Sequence, residues 1–403
     1  MKQDWLQTNI SMIATVQSGS GFPDRYQGQV GRDIPFYKVS DMNIIGNERE
    51  MCNENNSITE EVRRELGAFL FPKGSTIFPK IGGAIATNKK RLTTRDCCVD
   101  NNVMGVVPQL GKIDSQFLFY FFLAHDLSEF ANEAHLPSIR KTVVESWPIA
   151  LPVTLREQQR IVAILDEAFD GIATAKTHAE KNLQNARALF ESHLQSVFHG
   201  QGVGWNVIAF EDAVDDACTL SYGIVQPGDE YAGGLPIVRP TDLGAKIIEI
   251  EGLKRIDPGL ANSYRRTTLR GGDLLLCVRG TTGQISIASS NLTGANVTRG
   301  IVPIFFERSV VSQELGYYLM RSGAVQSQIR ERTYGTALQQ INIGDLRNLK
   351  LPIPPKTEQG ALTKKFDELS DATKRLESIY QQKLTALAEL KKSLLHQAFS
   401  GAL

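Results

Sequence analysis

Apolar positions recur in alternating steps of three and four along two long stretches of this chain. The first runs through Ile161, Leu165, Ala168, Ile172, Ala175, Ala179, Leu183, Ala186, Phe190, Leu194 and Val197. The second runs through Leu362, Phe366, Leu369, Leu376, Tyr380, Leu384, Leu387, Leu390, Leu394 and Ala398. Such spacing is a heptad seam, and it predicts long amphipathic helices. Thr154 and Glu157 have capping-box spacing, so the first helix is expected to start near Leu155. Gly200, Gly202 and Gly204 should stop it. The second opens after Pro354-Pro355 and ends at Gly401. Each helix has roughly 42 residues, and so is about 60 Å long at the helical rise. The seam outlasts any single small core, and Gln, Lys and Glu fill the other faces. Two helices packed along their seams are the economical solution. They should run antiparallel, because each must return the chain to its own globular part.

The remaining segments read as mixed α/β. Short strand-like runs at 34–39, 74–78, 103–107, 274–278 and 300–306 alternate with Gly- and Asn-rich turns. A helix is expected over 116–133, with a second over 313–330. The strand order cannot be derived from this pattern.

The chain also repeats itself at a spacing of about 200 residues. Ile34-Pro35 through Met42 matches Leu235-Pro236 through Leu243. Asn101 through Pro108 matches Asn296 through Pro303, and Gln116 through Phe122 matches Gln313 through Leu319. Ile149-Ala150-Leu151-Pro152 matches Leu349-Lys350-Leu351-Pro352, and Glu157-Gln158 matches Glu358-Gln359. Finally, Ser192 through Gly200 matches Ser393 through Gly401. Six matches in one order imply two copies of one unit, each a mixed part followed by a long helix.

Composition adds a constraint. Apolar residues are 42% and charged residues 22% of the 403, as in globular proteins. No apolar leader follows Met1-Lys2-Gln3-Asp4-Trp5, and no stretch is long enough for a membrane span, so a cytoplasmic protein is expected. The five cysteines show no C-x-x-C spacing and form no zinc pattern with the histidines. Formal net charge is +0, unusual for a lone nucleic-acid binder. The charge is segregated, however. Arg63, Arg64, Lys73, Lys80, Lys89, Lys90, Arg91 and Arg95 face a single acid, Glu65, between positions 62 and 95. Arg265, Arg266, Arg270, Arg279 and Arg299 face only Asp273 between 261 and 299. Two basic faces on duplicated units point to a repeated polyanion.

Motifs for chemistry are missing. Gly105 to Gly111-Lys112 has the wrong glycine spacing for a phosphate loop, and Ile113 stands where Ser or Thr is needed. Arg279-Gly280-Thr281-Thr282-Gly283 weakly resembles a backbone-clamping glycine loop and reads first as a tight turn. No nucleophile elbow, His-Glu-x-x-His or amino-methylation motif occurs. His178, His193, His199 and His396 take positions suited to a solvated helix face, and Asp215-Asp216 reads as a solvated turn. No catalytic, metal or cofactor site is expected.

The plan of two variable halves, each closed by a Leu-Pro run, a Glu-Gln pair and a long helix ending in Phe-x-Gly, resembles the specificity subunit of Type I restriction–modification enzymes. Residues 149–158 and 349–359 carry the resemblance most specifically, supported by Phe198-His199-Gly200 and Phe399-Ser400-Gly401. The resemblance implies an α/β chain with two duplicated target recognition domains, at 1–153 and 201–353. Antiparallel coiled-coil spacer helices, at 154–200 and 354–403, would join them with pseudo-twofold symmetry. It implies a non-catalytic subunit that reads a bipartite site on double-stranded DNA. Two methyltransferase (M) subunits and a motor–nuclease (R) subunit would be its partners. Base-reading residues do not transfer by motif. The expected DNA contacts are therefore the basic residues, Arg63, Lys73, Lys80, Lys89, Lys90, Arg91 and Arg95 in one half, and Arg239, Arg265, Arg266, Arg270, Arg279 and Arg299 in the other. The alternative is a coiled-coil protein-interaction scaffold, which explains the rod and the neutral charge but not the basic faces.

Overall fold

The computed structural model describes residues 5–200 and 202–403, so Met1 to Asp4, on which the reading of a missing leader begins, lie outside it. The chain forms two compact units. One comprises 1–179 with 382–403, the other 180–381. The long helices are continuous over Leu155–Gly200 and Lys356–Ser400, and each contributes a stretch to both units. Their ends fall where the capping signals place them. Thr154 Oγ1 accepts the Glu157 amide at 3.3 Å, and Gly401 takes a left-handed φ of 76° just past the last turn.

In the first unit a five-stranded sheet runs in the order Ala14–Ser18, Val103–Pro108, Thr76–Pro79, Arg91–Thr93, Glu50–Met51. A three-stranded sheet places Ile34–Tyr37 between Ser57–Ile58 and Cys98–Val99. Trp5–Asn9 pairs antiparallel with Pro148–Pro152, immediately before the long helix. Helix Ser115–Ala124 is buried from Phe117 through Phe122, so it is apolar almost all round and lies inside the core. That core joins Phe78, Met104, Phe117, Phe122, Ile149 and Leu151 to Ile161 and Leu165 of one long helix and Leu395 and Ala398 of the other.

The second unit repeats the plan. Its main sheet has the order Ile247–Ile248, Ile285–Ala288, Leu274–Cys277, Ile301–Ile304. Leu235–Val238 lies between Lys254–Ile256 and Asn296–Val297. Asn206–Ala209 pairs antiparallel with Lys350–Ile353. Phe190, Leu194 and Phe198 of one long helix meet Phe366 of the other in the core. Phe198 and Phe366 stack with ring centroids 5.7 Å apart, and Arg187 pairs with Glu377 at 3.1 Å. The helices are antiparallel there, as they are in the first unit, where Lys391 lies over Phe169.

The duplication reaches single atoms. A Cβ on Gly19 would lie 2.4 Å from the Val99 carbonyl oxygen, and one on Gly223 would lie 2.0 Å from the equivalent oxygen of Val297. Only glycine fits either crossing.

Four expectations differ in detail. The helix over 116–133 ends at Ala124, because His125 is extended and Asp126 caps a new 3-10 turn, Leu127–Phe130. Its counterpart breaks at Ser322 between helices Gln313–Arg321 and Gly323–Arg332. The sequence match of Asn101 with Asn296 slips by three positions, since the parallel pairings Phe36–Cys98 and Ile237–Asn296 make Cys98 the counterpart of Asn296. His193 turns inward, its Nε2 buried without a partner and its ring 6.1 Å from Phe366. Among the described residues no helix is long and apolar enough to cross a membrane.

Candidate nucleic-acid interface

Each mixed part is fixed to the long helix that follows it by the same two devices. The first is the glutamine of the Glu-Gln pair. Gln158 is fully buried, donates to the Pro152 carbonyl at 2.9 Å and the Lys112 carbonyl at 3.3 Å, and accepts the Asp114 amide at 2.8 Å. Gln359 donates to Pro354 at 3.1 Å and Val310 at 2.7 Å, and accepts the Ser312 amide at 3.1 Å. Asp114 and Ser312 are the N-caps of the core helices, so both helices are held at their starting turn.

The second device escaped the sequence reading. Asp166 of the long helix accepts from Arg49 at 2.6 Å and from the Tyr120 hydroxyl. Asp367 accepts from Lys246 at 2.6 Å and from the Tyr318 hydroxyl. Each cation also lies over its tyrosine ring, Arg49 at 5.3 Å and Lys246 at 4.9 Å. Burial, then the carboxylate bond, raises both phenols. Burial pushes the Asp367 carboxyl up, and the Lys246 and Tyr318 bonds outweigh it and leave it below its ordinary range. These equivalences pair Tyr120 with Tyr318, one position from the Tyr120–Tyr317 match suggested by sequence.

The expected DNA contacts divide into committed and free cations. In the first unit Arg63 pairs with Glu60 at 2.6 Å and Arg95 with Glu54 at 2.6 Å. Lys90 is 2% exposed and donates to the His125 carbonyl at 2.7 Å. Burial pushes its ammonium down to about 8. Arg91 is buried and donates to the Met42 carbonyl at 2.9 Å. Lys73 is exposed and makes no ion pair among the described residues. Lys80 and Lys89 reach only neutral oxygens, those of Ser18 and Asn43.

In the second unit Arg239 pairs with Asp242 at 2.8 Å. Arg270 pairs with Asp215 at 3.0 Å, which makes Asp215 a partner rather than part of a solvated turn. Arg265 and Arg266 are exposed near the end of the 3-10 segment Pro258–Thr267, and neither makes an ion pair among the described residues. Arg279 and Arg299 line one cavity of about 160 Å³. The fold thus brings Arg279 and Arg299, two of the expected contacts, to one site. The polar residues around them, Tyr222, Tyr334, Gln340 and Asn342, were not legible in the sequence.

The arrangement offers positive charge on rigid supports, and among the described residues no cluster of His, Cys, Asp and Glu is suited to a metal. Comparison with known proteins agrees with this picture. The chain is similar to the Type I restriction enzyme EcoBI specificity subunit of Escherichia coli, 24% identical over 99% of this chain and 86% of that one. It is also similar to the Type I restriction enzyme MjaIX specificity subunit of Methanocaldococcus jannaschii, 22% identical over 100% and 94% of the two chains. Among solved structures, the HsdS subunit from Thermoanaerobacter tengcongensis shares the fold with a TM-score of 0.63 at 17% identity, covering 100% of this chain and 98% of that one. A chain from a structure on complex assembly and conformational transition of the type I R-M system has a TM-score of 0.75 at 16% identity, covering 100% and 99%. The sequence profile of the Type I restriction modification DNA specificity domain matches residues 2–184 and 229–386, and the chain belongs to that family.

Proposed function

We propose that this chain is the DNA-reading specificity subunit of a Type I restriction–modification complex, and that its two units read the two halves of a split target on double-stranded DNA. The observation that carries the reading is the duplicated unit itself. The same mixed fold is anchored twice to a long helix by Gln158 and Gln359 and by Asp166 and Asp367, while the basic residues differ between copies. Two unlike readers on like supports suit two unlike half-sites.

The recognition domains lie at 1–153 and 201–353, and 154–200 and 354–403 are the spacers between them. Methyl transfer and cleavage belong to partners, two methyltransferase subunits and a motor–nuclease subunit, in the cytoplasm. Of the expected contacts, Lys73, Lys80, Lys89, Arg265, Arg266, Arg279 and Arg299 are free for phosphate or base. Arg63, Lys90, Arg91, Arg95, Arg239 and Arg270 hold the fold in the free protein, and those with surface remaining can turn to DNA only by exchanging a carboxylate for a phosphate.

A gel shift tests the reading. The chain mixed with its methyltransferase partners should retard a target duplex, and the chain alone should transfer no methyl group from S-adenosylmethionine. Methyl transfer by the single chain, or no retardation by the complex, contradicts it.

A further inference from the structure

At one end of the main sheet of the second unit, two arginines meet without a counter-ion. Arg279 follows strand Leu274–Cys277, and Arg299 precedes strand Ile301–Ile304, which pairs with it through Cys277 and Ile301. The two side chains line the cavity of about 160 Å³ together with Tyr222, Tyr334, Gln340 and Asn342. No carboxylate lines it, and neither arginine makes an ion pair among the described residues. The Arg279 Nε is buried with no hydrogen-bond partner. A buried guanidinium nitrogen left unpaired is costly, and two arginines side by side call for an anion.

The site is held rigidly. Gly280, at φ 94°, donates its amide to the Gln339 carbonyl at 2.8 Å. The Ile341 amide donates to the Val278 carbonyl at 3.0 Å. Tyr222 donates to the Ile341 carbonyl at 3.3 Å, and Tyr334 donates to Asn342 Oδ1 at 2.6 Å.

The same junction exists in the first unit. Gly82, at φ 68°, donates to the Pro137 carbonyl at 2.7 Å, and the Ile139 amide donates to the Lys80 carbonyl at 2.9 Å. By these pairings Ile81 takes the place of Arg279 and Asn101 the place of Arg299. The charge is nevertheless kept, from other positions. Lys80 reaches the Ser18 hydroxyl at 3.0 Å, and Arg140 is exposed with no ion pair among the described residues. Residues that read bases should change chemistry between two different half-sites. Here the residues change and the sign of the charge does not, which suits a contact that carries no sequence information.

We propose that Arg279 and Arg299 clamp a backbone phosphate of the DNA at the second half-site, with Lys80 and Arg140 as the counterpart at the first. The inference rests on the DNA-reading function and assigns these residues a sequence-independent part in it. The cavity is small beside the roughly 300–1,000 Å³ that encloses a drug-sized ligand. Phosphate oxygens can enter it from one side, and guanidinium forks match them.

The test uses the full chain assembled with its methyltransferase partners. Two duplexes serve as probes, the methylation target mapped from the host genome and a scrambled one of the same length. Binding is followed by anisotropy between 50 and 200 mM salt. The Arg279→Gln/Arg299→Gln variant should bind both duplexes more weakly by the same factor, about tenfold or more. Its slope of log affinity against log salt should flatten by about 0.9 per phosphate lost. Arg279→Lys/Arg299→Lys should keep most of the slope. Lys80→Gln/Arg140→Gln should repeat the effect at the first unit, and it serves as the test if the arginine variant misfolds. Loss confined to the target duplex would make these residues base readers and overturn the proposal. Unchanged affinity and slope in a variant whose wild type binds would also overturn it, leaving DNA reading intact. A wild-type complex that binds neither duplex would remove both.

Discussion

Arg49 donates to Asp166 at 2.6 Å across a sequence separation of 117 residues, and this bond ties a strand-edge residue of the first mixed part to the long helix. Lys246 and Asp367 repeat it at 2.6 Å in the second. Because each carboxylate also receives a tyrosine hydroxyl, removing it strands two donors. Asp166→Ala and Asp367→Ala should each destabilise the protein by about 1–2 kcal/mol. The cost stays modest because the four charged side chains keep 29–45% of their surface in water. Urea unfolding of each variant measures it, and unchanged midpoints would show that the pairs do not anchor the units.

The buried glutamines should matter more. Gln158→Leu leaves the Asp114 amide and the Pro152 and Lys112 carbonyls without this partner. Gln359→Leu does the same to Ser312, Pro354 and Val310. Because both glutamines are buried, each should cost about 2–4 kcal/mol. Denaturant midpoints and hydrogen exchange at the first turns of the core helices report it. Neutral substitutions would mean that apolar packing alone sets the junction.

Much of this architecture was legible because its signals are local. The heptad seam and its caps placed both long helices, with Leu155 and Gly401 where expected. Short apolar runs marked the central strands. What could not be read depends on partners far apart in sequence. Nothing near Arg49 or Lys246 announces Asp166 or Asp367. Lys90 looks like one of three consecutive surface cations, and only tertiary packing buries it. The slip at Asn101 arose because Asn-x-x-x-Gly recurs by chance beside the true strand register, which backbone pairing alone reveals.

Lys90 gives the chain a pH dependence with a defined sign. Burial lowers its ammonium from 10.5 to about 8, whereas the unfolded residue stays protonated to about 10.4. Between those values the unfolded chain binds one more proton than the folded chain, so this group adds stability as pH rises through the window. Below about 8 its full penalty is present. Relative to Lys90→Met, the wild type should gain up to about 3 kcal/mol between pH 8 and 10.5. Paired unfolding curves at pH 7.5, 9 and 10 test it, and a constant difference would contradict the buried ammonium.

Both long helices are unbroken and both serve each unit. If they set the spacing of the half-sites, removing one heptad from each should shorten the gap by about 10 Å, roughly three base pairs. The deletion must be paired, since a single one breaks the seam register. Methylation mapping should find the same half-sites with a shorter gap. Retention of the original gap by a folded variant would give the spacing role to the methyltransferase partners.

If one chain reads a split DNA target with two unlike units, the methylation pattern of its host depends on it. Methylation-aware sequencing of a host with and without an intact copy of this chain tests it most directly. Methylation should fall at a single motif of two different half-sites separated by unspecified bases, and should be lost entirely when the chain is removed. A contiguous motif, or methylation that persists without the chain, would contradict it.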